Sequence, residues 1–268
     1  MSARARLLPA ADYGIDAPGV VRNLFLCGLA GLLIWCSILL GLWSGQFGFS
    51  VGRAQVEIEL SGTGLWVALV CTGLALWMLW DSKVGKLRGR EQLLDTASIG
   101  GGEHVLDVGC GRGLLLVGAA RRLGSGMAFG IDIWQGEDLS GNQPLATLEN
   151  ARREGAFERV AIATADMRRM PFRADEFDAV ISRAALHNLY QKADRARALR
   201  EIARVLKPGG RVVIEDIRHL REYERVLLQA GWSEVRIAGS RWVSGFLFLL
   251  TFGSLRPGLL LARKPTVL

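Results

Sequence analysis

No C-x-x-C pair occurs in the sequence, and its four cysteines are scattered: Cys27, Cys36 and Cys71 in apolar runs, Cys110 in a glycine-rich turn. A disulfide framework, a thiolate zinc site and a redox dithiol therefore lack the residues they need. A reducing compartment is the simplest fit, and no metal is expected. Charge is missing over two long stretches: Leu24 to Trp43 is twenty residues without a charged side chain, and Ser61 to Trp80 is another twenty. Continuous apolar runs of that length go far beyond the usual core helix of a soluble protein. No small-x-small site follows the first run, and about 23 residues precede it, so a cleaved signal peptide is not expected. No basic stripe interleaved with aromatics occurs either, so the net charge of +7 does not read as a nucleic-acid surface.

What is present begins with those two runs. Each matches the length of a membrane-spanning helix. Trp43, Trp66 and Trp80 lie near their ends, where an indole keeps its ring apolar and its N–H wet. Two buried helices of a soluble bundle are the alternative. The segment Asp81 to Arg90 carries four basic residues against one acidic, and Arg4, Arg6 and Arg22 precede the first run. The connection between the runs has only Arg53, against Glu57 and Glu59. Basic residues favour the cytoplasmic side, so both termini are expected there, with a short hairpin loop outside. The expected organisation is an N-terminal tail (1–23), a transmembrane hairpin (24–80), a basic juxtamembrane linker (81–94) that binds anionic lipid, and a globular domain (95–268).

From Glu91 onward β-rich runs alternate with amphipathic stretches. The runs are 104–109, 127–132, 160–165, 177–182, 211–216, 234–238 and 259–263, with helix-like stretches near 112–123, 144–154, 192–206 and 219–230. Such alternation implies an α/β fold with a mostly parallel sheet of seven strands, covered on both faces. No helix-length amphipathic segment separates the last two runs, which fits an antiparallel closing hairpin. Chemistry concentrates in "VLDVGCGRG", Val105 to Gly113, where a strand runs into a glycine turn and then a helix. Glycine permits positive φ and close approach of a ligand, and the helix N-terminus offers free N–H groups. Alone this turn is weak evidence, because nicotinamide and flavin enzymes use similar ones. Asp132 ends the second strand, 21 residues after Gly111, the place where a carboxylate accepts hydrogen bonds from a ribose diol. Asp166 follows the third strand in "TADMRRMPF".

With "GIDIW", "FDAVIS" and "RVLKPGGRVVI" in the same order, residues from about Asp95 to Lys264 resemble the class I S-adenosylmethionine-dependent methyltransferases, closest in style to those of ubiquinone and menaquinone biosynthesis. The resemblance implies a Rossmann-like sheet with an antiparallel last strand, and S-adenosyl-L-methionine as cofactor. It implies that Gly109, Cys110, Gly111 and Gly113 pass under the methionine part and that Asp107 orients that turn. Asp132 would bind the ribose hydroxyls, with Ile133 against the adenine. Asp166 would bond the adenine amino group beside Met167, and Ser182 would sit at the mouth of the fourth strand near the methyl group. The link after Asp132 is longer than usual and leaves Asp138 and Asn142 without assigned roles.

Methyl transfer from a sulfonium is an in-line displacement that needs positioning more than acid–base help. The one candidate base is His187 in "SRAALHNL", with a packing or capping histidine as the alternative; His104 and His219 are expected to be structural. "SRAA" is not the Asn/Asp-Pro-Pro-aromatic motif of amine methylation on DNA bases, and no cysteine is placed to attack a pyrimidine or to carry arsenic. The expected function is methyl transfer to a lipophilic small molecule or lipid by an enzyme integral to the cytoplasmic membrane. Two other readings stand beside it: methylation of a membrane protein side chain, and a non-catalytic membrane protein that binds the cofactor. An apolar insertion, 241–256, is too short to span a bilayer. It is expected either to pack internally or to enter the bilayer surface between Arg241 and Arg256.

Overall fold

Proline at the first helical position starts α1 (Pro18–Leu39), because its fixed φ suits a first turn whose N–H has no partner. In this computed structural model, which describes residues 10–239, Gly245 and 255–266, α1 thus begins six residues before the expected span and takes in Arg22. It also stops short of Trp43, since Gly41 and Gly45 at φ +70° and +74° turn the chain away. The second run forms α2 (Ser61–Trp80) over the expected residues. Between them β1 (Gln46–Val51) and β2 (Ala54–Glu59) pair as an antiparallel hairpin. Contacts divide the chain into two units, and these elements belong to the smaller, residues 14–86 with 136–140.

The pairing of α1 and α2 runs through small residues. A Cβ added to Gly31 would lie 2.7 Å from the Gly64 carbonyl oxygen, and one on Gly64 would lie 2.9 Å from that of Gly31. One on Gly28 would meet the Thr72 hydroxyl. The large side chains point the other way: Leu29, Leu33, Trp66, Leu69 and Trp77 are exposed. A water-soluble helix pair buries its leucines. Here the glycines make the close backbone contact and the leucines stay outside. Both helices are long and apolar enough to cross a membrane.

The stretch 81–94, expected as a linker, is helical: a π-helical turn (Asp81–Gly85) and then α3 (Lys86–Thr96). Its lysines, arginines and leucines, with Glu91 and Gln92, are good helix formers. Two of its four basic side chains face protein. Lys86 is buried, and its Nζ donates to the Gly14 carbonyl at 2.9 Å and to Asp16 at 3.1 Å. Arg90 is buried against Tyr13 and Glu154.

The larger unit is built on β3 (His104–Val108), β4 (Met127–Asp132), β5 (Val160–Thr164), β6 (Phe177–Arg183), β7 (Leu206–Asp216), β8 (Glu234–Ala238) and β9 (Gly258–Arg263). They form one sheet in the order β5-β4-β3-β6-β7-β9-β8. The first five are parallel, and β9 slots antiparallel between β7 and β8. Helices α4 (Leu114–Arg122), α5 (Pro144–Arg153), α6 (Lys192–Val205) and α7 (Leu220–Gln229) intervene. Strand period divides the core: Leu106, Val108, Val180, Val212 and Ile214 face one cluster with α6 and α7, while Val105, Ala179, Ile181 and Val213 face another with α3 and α4. Both faces of the sheet are therefore covered, as the apolar runs require. The insertion 241–256 lies outside the described residues apart from Gly245, Leu255 and Arg256.

Candidate functional site

Three adjacent strand ends, β5, β4 and β3, bring the predicted acidic residues side by side. After Val108 the chain turns on Gly109, Gly111 and Gly113 at φ +75°, +51° and +84°. A side chain on Gly109 would overlap the Ala185 methyl, and a Cβ on Gly113 would sit 2.8 Å from Thr147 Cγ2. Positive φ and lack of room both require glycine there. Gly113 is also the N-cap of α4 and has no side chain to satisfy the first turn. Asp107 replaces it from the strand, accepting the Leu116 N–H at 2.9 Å. Burial pushes the Asp107 carboxyl up to about 8, with the Asp132 charge adding to the rise and the Leu116 bond opposing it. Cys110 is buried in the turn, where burial pushes its thiol well up and leaves it a neutral packing group.

Asp132 is held from three sides. Its Oδ2 accepts the Gly111 N–H at 2.8 Å, and its Oδ1 accepts the Trp134 N–H at 2.6 Å and the Asn142 amide at 3.3 Å. The other end of that amide, Asn142 Oδ1, is buried and has no hydrogen-bond partner among the described residues. A buried acceptor without a donor is costly, so a water or a ligand has to supply one. Ile133 is half exposed beside this pair. Met167 lies close to the Gly109 turn, with Cε 3.8 Å from where a Cβ there would stand. Asp166 is bidentate to Arg168, which holds its carboxyl below the usual range. Bare glycine backbone, a carboxylate joined to an orphaned amide oxygen, and a half-exposed isoleucine fit an amino-acid group, a ribose diol and an aromatic base respectively.

Ser182 departs from its expected place. It is fully buried, and its hydroxyl donates to the Val108 carbonyl at 2.7 Å, tying β6 to β3 instead of facing an open mouth. The chain then turns through Ala184 at φ +51° into a single 3-10 turn (Leu186–Asn188) that carries His187. His187 Nδ1 lies 2.6 Å from Asp216 Oδ1 at the end of β7, and the His187 N–H donates to Oδ2 at 3.1 Å. The Ile217 N–H, at 2.8 Å, and the Tyr223 hydroxyl, at 3.1 Å, complete four donors around that fully buried carboxylate. A carboxylate only accepts, so Nδ1 carries a proton, and in the neutral ring the lone pair is on Nε2. Burial pushes the Tyr223 phenol up, which keeps it a donor. His187 itself is 17% exposed. A partly open imidazole with a fixed tautomer can accept a proton at Nε2.

Asp216, Tyr223 and Asn142 had no role in the sequence reading. Asp216 had a usable signal, an acidic residue ending a strand, the same sign that marked Asp107 and Asp132. Tyr223 and Asn142 had none. Arg112, inside the glycine turn, is a further residue without prior notice: its guanidinium donates to the Asp12 carbonyl at 2.8 Å and pairs with the Asp12 carboxylate at 3.1 Å. Asn150 donates to the carbonyls of Asp12 and Arg112 at 2.8 and 2.9 Å, so the N-terminal segment is strapped to the turn.

Residues 106–214 match the methyltransferase domain family. Over 236 residues the chain is 33% identical to a ribosomal protein L11 methyltransferase of Xylella fastidiosa, an alignment covering 85% of this chain and 69% of that protein. It is 36% identical over 130 residues to methyltransferase GfsG of Streptomyces halstedii, covering 48% of this chain and 43% of the relative. It is 34% identical over 132 residues to the chloroplastic 2-phytyl-1,4-beta-naphthoquinone methyltransferase of Arabidopsis thaliana, covering 49% and 48%. The chain thus spans about half the length of these last two relatives. A solved SAM-dependent methyltransferase from Aquifex aeolicus shares the fold, with a TM-score of 0.50, 21% identity, and coverage of 66% of this chain and 89% of that one.

Proposed function

The chain belongs to the class I S-adenosylmethionine-dependent methyltransferases, and on that premise we propose that it methylates a lipophilic acceptor at a membrane crossed by α1 and α2. One observation carries this reading: a complete set of cofactor-binding strand ends shares its chain with two helices that pack through glycine and turn their leucines outward. The Arabidopsis relative's naphthoquinone acceptor is of the same chemical kind. The basic residues around Asp81–Arg90 and before α1 support termini on the cytoplasmic side of an integral protein.

The bound cofactor supplies an electrophilic methyl carbon on a sulfonium. Gly109, Gly111 and Gly113 give it bare backbone, Asp132 with Asn142 gives acceptors for its ribose, and Ile133 and Met167 give apolar surface for its base. Asp166 would have to share its carboxylate between Arg168 and an amino group. Where the acceptor's nucleophile carries a proton, His187 Nε2 takes it, while Asp216 holds the ring in place and stabilises the imidazolium formed. Ser182 acts as a strut beneath the site.

Incubating membranes with methyl-labelled cofactor tests the reading: label should enter material that extracts into organic solvent. A second reading, a protein acceptor in the membrane, draws on the relative aligned over most of the chain, which is named for a ribosomal protein. Label remaining in the extracted protein pellet would decide for it. Cofactor binding by calorimetry with no labelled product in either fraction would sink both.

A further inference from the structure

The hairpin between α1 and α2 has two chemically opposite faces. Its register pairs Phe47 with Ile58, Phe49 with Val56 and Val51 with Ala54; the alternate pairs are Gln46 with Glu59, Gly48 with Glu57 and Ser50 with Gln55. Alternation in a strand puts the first six residues on one face and the second six, Gly48 without a side chain among them, on the other. One face is therefore wholly apolar, with the Phe47 and Phe49 rings 6.0 Å apart, and the other carries two carboxylates. All twelve residues are exposed. A two-stranded ribbon is marginal in water by itself, so an uncovered apolar face of this kind needs a partner.

We propose that this face lies on the lipid surface at the end of the α1–α2 pair, half-sunk at the bilayer boundary with Glu57 and Glu59 turned to water. The proposal rests on the membrane-spanning reading of those helices. Continuity is the first argument. Only Leu60 separates β2 from α2, and the Leu60 N–H donates to the Gly45 carbonyl at 2.9 Å, closing the ribbon onto the helix ends. Leu39, Leu40 and Leu42 lead into β1 and are all about 70% exposed, so the outward apolar surface of α1 runs on into the hairpin. A ribbon attached so closely cannot leave the boundary region. The second argument is the kind of side chain. The face holds Phe, Val, Ile and Ala and no arginine, tyrosine or tryptophan, the anchors that dominate protein partners. Lipid asks only for apolar depth below and charge above. The third is sign: the carboxylates sit on the face away from the apolar one, where anionic headgroups do not oppose them.

The test uses the full chain in vesicles of phosphatidylethanolamine and phosphatidylglycerol. Nitroxide labels are attached at Leu29→Cys, Phe49→Cys or Glu57→Cys, with Cys27, Cys36 and Cys71 replaced by alanine and Cys110 left buried. Collision with oxygen, which concentrates in lipid, is compared with collision with a water-soluble nickel chelate. Positions 29 and 49 are expected to favour oxygen, and position 57 nickel. Lipid exposure at 29 with nickel access at 49 overturns the proposal and leaves the spanning helices standing. Lipid exposure at 29 with position 49 shielded from both reagents also overturns it, because a protein surface or a second copy then covers the face. Nickel access at 29 shows that the helices do not span, and the proposal falls with that reading.

Discussion

Replacing Asp216 by asparagine separates a positioned base from a packing histidine. Four donors converge on the Asp216 carboxylate: His187 Nδ1 and Ile217 N–H on one oxygen, His187 N–H and the Tyr223 hydroxyl on the other. An amide has one acceptor end. If its oxygen faces His187 Nδ1, its NH2 confronts the His187 backbone N–H, although Tyr223 can rotate to accept. If it flips, the NH2 donates to Nδ1, the imidazole proton moves to Nε2, and the Ile217 N–H is left facing a donor. Either way one buried donor goes unpaired, at a cost of about 1–3 kcal/mol of stability. The flipped form also removes the free lone pair. General-base help is worth roughly 100- to 10,000-fold, and the rate on a proton-bearing acceptor should fall by that order. Cofactor affinity should not change, since Asp216 sits at the end of β7 and the proposed cofactor residues follow β3, β4 and β5. The assay is labelled methyl transfer, with calorimetric cofactor binding and urea unfolding on the same preparations. The variant should lose rate on an acceptor whose nucleophile carries a proton and keep it on one whose nucleophile carries none. A variant with the natural rate on both acceptors but lowered stability would refute the base role and leave a structural histidine.

Three further outcomes follow from the packing. Asn142→Ala removes the amide that donates to Asp132 and the orphaned oxygen beside it, so cofactor affinity should drop about fivefold, the worth of about 1 kcal/mol for one hydrogen bond; calorimetry reads it. Asp107 keeps a proton in the folded state up to about pH 8 that the unfolded chain releases in the ordinary carboxylate range. Its contribution is therefore fully present in acid and is lost as pH rises through about 8, and Asp107→Asn should flatten that part of a urea-midpoint-against-pH curve. Gly31→Leu must push α1 from α2, because a Cβ there already meets the Gly64 carbonyl at 2.7 Å. It should cost about 1–3 kcal/mol in detergent unfolding, while Gly73→Leu, with nothing within 4 Å of its Cβ position, should cost little.

By itself the sequence determined whatever depends on neighbours along the chain. Alternation of apolar residues marked six strands of the sheet to within a residue at either end and the seventh, β7, short by five residues at its start; the glycine turn announced its own backbone, and twenty-residue uncharged runs announced two helices. Each signal is local, because strand pleat, positive φ and helix length are set by adjacent residues. The start of α1 was missed only because Pro18 nucleates a helix ahead of the uncharged run. Tertiary structure decided the contacts made at a distance. Asp216 is 29 residues from His187, and Gly31 meets Gly64 across a whole hairpin. Ser182 shows the same limit in reverse: at a strand end its hydroxyl could have faced the cofactor or the sheet, and only the position of the Val108 carbonyl chose. A buried polar group goes where its partner is, and the partner's place comes from the fold as a whole.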